Sequence, residues 1–130
     1  MRTRPSLAAL VLGLAISALV HTGASAEIVG GRPPGCPARF CGCGTSLEHF
    51  GRIVPGLNLA RAWLRFPRAS AAPGMVGVRP HHVLTLREHV RGDIWMVKDY
   101  NSGGGKTRYH ARSIRGYVIV NPQGGHHAGL

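Results

Sequence analysis

"HHVLTLREHVRGDIWMVKDYN", residues 81–101, decides the fold. Apolar and polar residues alternate on both sides of Arg91-Gly92-Asp93, so the sequence predicts two strands, 82–90 and 93–100, joined by a tight turn. Strands joined so closely pair antiparallel. The start of the first then lies beside the end of the second, which brings His82 next to Asp99-Tyr100-Asn101. Alternation sets His82 on one face with Leu84 and Leu86, and Val83 on the other with Thr85. The leucine face is the expected packing face for helices, so His82 points toward them and His81 points away to solvent.

Working outward, "MVGVR" (75–79) and "RGYVIVNP" (115–122) read as further strands, and "NSGGGKTR" (101–108) as a flexible loop. Upstream, the period is helical. One helix is expected from Gly42 or Cys43 to Phe50, with Gly51 as its stop and Pro55 beyond. Asn58 is placed to cap a second short helix, with Leu59, Ala62, Trp63 and Phe66 at helical spacing and Pro67 closing it. Helices come first and strands follow, which predicts an α+β domain with N-terminal helices packed on an antiparallel sheet. That domain spans 39–122, preceded by an extended Gly/Pro-rich arm (27–38) and followed by a disordered tail (123–130).

Residues 1–26 have the pattern of a secretory signal peptide. Arg2 and Arg4 precede an apolar run from Leu7 to Val20, and "ASA" at 24–26 is a small-residue cleavage site. The run is shorter than the roughly 20 residues a spanning helix needs, so no stable membrane span is expected. The chain carries 16 basic and 5 acidic residues, and removing Arg2 and Arg4 leaves a net charge of about +9. Such a surface favours polyanions. Export argues against nucleic acid and for peptidoglycan or another anionic cell-envelope polymer, with the protein a monomer in the periplasm or outside the cell. Export also permits disulfides. Three cysteines, Cys36, Cys41 and Cys43, allow one bridge and leave one thiol over.

A thiol at a helix start becomes a good nucleophile when an imidazole stabilises its thiolate and a third group orients the imidazole. A cysteine near the helix start, His82 at a strand start, and Asp99 and Asn101 at the end of the next strand supply those parts. Their order resembles the CHAP family, papain-like cysteine- and histidine-dependent amidohydrolases and peptidases that cut cell-wall peptides. "HHV" and "DYN" match a His-Val strand start and an acid-x-Asn strand end, with Asp99 where the family usually has Glu. "NLARAW" and Pro73-Gly74 resemble a family helix and turn, and the similarity runs from about Phe40 to Pro122. The "CGCGTSL" segment departs from the family, which usually has aromatic or aliphatic residues after the cysteine. The resemblance implies a papain-like fold and amide-bond hydrolysis in peptidoglycan peptides.

Helical phase favours Cys43 as the nucleophile. Ser46, Leu47 and Phe50 share its face, which is mostly apolar, whereas Gly44, Thr45 and Glu48 share the face of Cys41 and read as solvent-facing. Cys36 and Cys41 would then form the disulfide. The competing assignment makes Cys41 the nucleophile and pairs Cys36 with Cys43. His82 is the expected base, and Asn101 and Asp99 are level as its orienter. The backbone N–H at the helix start helps hold an oxyanion, and "NSGGGK" flanks the groove. Paired Cys-x2-Cys or His-x3-His spacing is missing from 27–120, so no metal or cofactor is expected. The rival readings are a non-catalytic envelope-binding or structural module of the same fold, and a cationic protein acting by charge alone.

Overall fold

The computed structural model describes residues 26–125. The expected signal peptide, Ala26 apart, and tail residues 126–130 lie outside the described residues. The architecture is α+β: a six-stranded antiparallel sheet carries one α-helix and two 3₁₀ segments. The strands are β1 (Glu27–Gly30), β2 (Val76–Arg79), β3 (His82–Arg91), β4 (Ile94–Asp99), β5 (Thr107–Ser113) and β6 (Val118–Val120). They lie in the order β1-β5-β4-β3-β2-β6. No helix among the described residues is long and apolar enough to cross a membrane.

The β3–β4 hairpin turns at Gly92, whose positive φ of 48° suits a residue without a Cβ. Its register pairs Thr85 with Lys98 and Leu86 with Val97. Strand β5 adds to β4 with Val97 opposite His110 and Trp95 opposite Arg112. This strand was not expected. Its stretch "TRYHARS" has no apolar face, and its beginning reads as part of the glycine loop. Residues 27–30 of the expected arm pair with β5 at one edge of the sheet.

Helix α1 (Cys41–Phe50) ends at Gly51, which takes the left-handed conformation (φ 69°) and donates its N–H to the Leu47 carbonyl. The second expected helix is instead two 3₁₀ segments, Pro55–Leu57 and Ala60–Arg65. Asn58 does not cap the latter; Leu59 holds that position, with no side-chain cap. Trp63 anchors the region by donating its indole N–H to the Leu57 carbonyl at 2.9 Å.

The helical layer sits on the face opposite to the one expected. Val76, Val78, Val83 and Val120 form one core with Leu57, Trp63 and Phe66. Thr85 bonds both Glu48 and His49 of α1. Leu84, Leu86, Val97, Trp95 and Tyr117 form a separate core on the other face. Both faces are buried, so alternation alone could not say which one meets the helix.

Candidate functional site

The first turn of α1 is held by three local features. A disulfide joins Cys36 to Cys43, with Cα atoms 5.7 Å apart. Thr45 donates its hydroxyl to the Cys41 carbonyl at 2.6 Å. Gly42 lies against the Leu57 and Asn58 carbonyls, and Gly44 against the ring of Tyr100, both so close that a Cβ would clash. The free thiol is therefore Cys41, the first residue of the helix.

This corrects two expectations. Cys43 is in the disulfide and fully buried, so it is not the nucleophile; Cys36 is paired with Cys43, not with Cys41. The helix face of Cys41, expected to be solvent-facing, is the one that meets the sheet. Gly44 admits Tyr100, Thr45 is fully buried, and Glu48 bonds Thr85 and pairs with Arg87 at 2.9 Å. Small and polar residues made this contact close, where apolar bulk was the signal sought.

The Cys41 sulfur lies 4.0 Å from the His81 carbonyl and shares a cleft with the ring of His82, the neighbour that most lowers its thiol pKa. His82 Nε2 bonds Asp99 Oδ1, which leaves Nδ1 as the ring nitrogen for sulfur. Asp99 is completely buried. Its second oxygen, Oδ2, accepts from His110 Nε2 at 2.8 Å and from Arg112 Nη1 at 2.7 Å. Between the two candidate orienters the structure therefore selects Asp99. Asn101 lines the cleft beside Cys41 and His82, in a left-handed conformation (φ 56°). His110 and Arg112 were missed because β5 was missed. The available signal was polar alternation, with Arg108, His110 and Arg112 on one face of a strand beside a buried carboxylate.

The comparisons find no matching family model, no matching curated protein and no matching solved structure. Function must be argued from the chemistry of the site.

That chemistry is electrostatic. Burial raises the Cys41 thiol pKa, but hydrogen bonds from His82 and from the Val83 and Gly42 amides outweigh it, and the net value is lowered. Burial alone would lower His82, but Asp99 and Cys41 overcome it and raise the ring to about 9. Burial also opposes ionisation of Asp99, yet His82, His110 and Arg112 hold it well below the ordinary carboxylate range. The shifts run in the direction of a thiolate–imidazolium pair braced by a carboxylate.

The same shifts predict a pH dependence of stability. His82 is raised from 6.5 to about 9, so its stabilisation is complete below pH 6.5 and is lost as the pH climbs through 9. Asp99 acts in the opposite sense: its share is complete above its ordinary value of 3.8 and is lost as acid protonates it. The lowered Cys41 thiol has the opposite slope below pH 9, so the test uses a Cys41→Ala background, in which urea unfolding should decline from pH 6.5 to 9 and Asp99→Asn should flatten that decline. Equal slopes in the two proteins would contradict this.

The disulfide makes its own prediction. Closing so short a loop is worth about 2 kcal/mol. The Cys36→Ser/Cys43→Ser double variant should lose about that much in urea unfolding and still carry a titratable Cys41.

Proposed function

We propose that this chain is an exported cysteine amidohydrolase or peptidase of papain-like architecture that cleaves amide bonds in peptidoglycan peptides. One observation carries the reading: Cys41 opens α1 and shares a cleft with His82, whose Nε2 bonds the buried Asp99. The Cys36–Cys43 disulfide is compatible with an oxidising compartment outside the cytoplasm. The basic excess suits an anionic wall polymer.

The chemistry follows from the residues. The Cys41 thiolate attacks the amide carbonyl carbon, and the electron pair moves to oxygen. The Cys41 backbone N–H at the helix start supports that oxyanion. As the tetrahedral species collapses, the C–N bond breaks and His82 delivers its proton to the departing amine. A water then attacks the thioester, giving its proton to His82, and the thiolate leaves with a carboxylic acid as product. Asp99 keeps the ring oriented and stabilises its charge throughout.

Incubating the mature protein with purified peptidoglycan tests this. New amino groups should be released by the wild type and not by Cys41→Ala. No release from any peptidoglycan tested would favour a second reading, a non-catalytic envelope module. One observation favours that alternative: Cys41 is only 5% exposed.

A further inference from the structure

Two clefts meet at Cys41. The larger, about 500 Å³, is lined by Arg39, His81, His82 and Asn101. The smaller, about 80 Å³, is lined by Arg39, Arg61, Asn58, Leu59 and Pro80 among others, and not by His82. The chemistry of the proposed reaction assigns their roles. His82 must protonate the leaving amine, so the amine side of the substrate lies in the cleft that His82 lines. The acyl side then lies in the smaller cleft.

The charge in that smaller cleft is unbalanced. Arg39 and Arg61 are exposed, and neither guanidinium makes an ion pair or hydrogen bond among the described residues. Acidic residues are scarce, and three of the five are paired elsewhere. Glu48 pairs with Arg87, Asp93 with Arg115, and Asp99 with His82, His110 and Arg112. No Asp or Glu lines either cleft. Two unpaired guanidinium groups beside a nucleophile form a receptor for a carboxylate. Resting on the reading of Cys41 and His82 as the catalytic pair, we infer that the substrate is an amide whose acyl residue bears a free carboxylate, held by Arg39 and Arg61.

Two measurements test it. The first compares peptides that differ only in Glu or Gln at the residue supplying the scissile carbonyl. The wild type should prefer Glu by about tenfold in kcat/KM, mostly through KM, and Arg39→Gln/Arg61→Gln should erase the preference. The second needs no turnover: alkylation of Cys41 by iodoacetate is compared with alkylation by iodoacetamide. The iodoacetate-to-iodoacetamide rate ratio should exceed that of glutathione and fall about tenfold in the double variant. Using the ratio cancels any change in the thiol itself. Equal cleavage of both peptides would overturn the inference and leave the amidase reading standing. If neither peptide is cut, the amidase reading fails and the substrate assignment with it. A rate ratio insensitive to the two arginines overturns the anion site by itself.

Discussion

Replacing Cys41 with alanine is expected to lower amide cleavage on the order of ten-thousandfold or more, leaving only what substrate binding and oxyanion stabilisation supply. The reason is covalent: no other described thiol is free, because Cys36 and Cys43 are joined to each other. Cys41→Ser should be almost as inactive. A serine hydroxyl titrates far above a thiol, and the imidazolium that stabilises a thiolate cannot hold an alkoxide at neutral pH. Cys43→Ser should behave differently. It breaks the disulfide and weakens the fold but leaves the Cys41–His82–Asp99 line intact, so cleavage should survive wherever the protein is folded. Release of amino groups measured for the three variants, alongside circular dichroism to check folding, separates the assignments. Loss of activity in Cys43→Ser with full retention in Cys41→Ala would reverse them.

The second large effect is on the fold. Gly42→Ala should destabilise the protein by about 3 kcal/mol or more and lower its melting temperature by roughly 15 °C. Helix propensity alone points the other way, since alanine in a helix is favoured over glycine by about 1 kcal/mol. Sterics decide the sign. A Cβ at Gly42 would lie 2.1 Å from the Leu57 carbonyl oxygen and 2.6 Å from that of Asn58. Both atoms are backbone, so no side-chain rotation relieves the clash. The helix start must move off the 55–58 segment, and Cys41 moves with it. Gly44→Ala strikes the buried Tyr100 ring, 2.2 Å away, a side chain rather than backbone, so its cost should be large but smaller than that of Gly42→Ala. Thermal unfolding of the two variants checks the order. A Gly42→Ala protein as stable as the wild type would show that the helix does not press on that segment.

The hairpin was the most legible part of the chain. Alternation and one glycine turn were enough to bring His82 beside Asp99, because antiparallel register leaves little freedom once the turn is known. The features that escaped share a physical cause. Strand β5 carries Arg108, His110 and Arg112 on one face, so it lacks the apolar alternation by which a strand is recognised. Those polar residues are there for Asp99 and the loop before it: His110 and Arg112 hold the carboxylate, and Arg108 bonds the Ser102 and Gly103 carbonyls. A site that must bury charge disturbs the pattern that marks an ordinary core.

The cysteine assignment failed for a related reason. Apolar bulk marks an ordinary packing face, yet α1 approaches the sheet through Gly44 and Thr45, where small size permits close contact. The leucine face was misread because the sheet is covered on both sides, by the helical layer over Val83 and by Tyr117, Ile114 and Ile119 over Leu84 and Leu86. Asp99 and Asn101 are not separable from sequence because alternation on a continued strand would point them the same way, whereas β4 ends at Asp99 and Asn101 turns left-handed. Only the side-chain geometry distinguishes the residue bonded to the ring from the one at the rim of the cleft.

The rate of alkylation of the native, unreduced protein by iodoacetamide, followed against pH with the labelled residue mapped by mass spectrometry, addresses the site most directly. The label should fall on Cys41. Its rate should already be high at neutral pH, below where an ordinary thiol near 9.0 ionises, and His82→Ala should move the midpoint upward. A Cys41 that stays unlabelled in the folded protein, or that titrates like an ordinary thiol whether or not His82 is present, would contradict an activated nucleophile at this position.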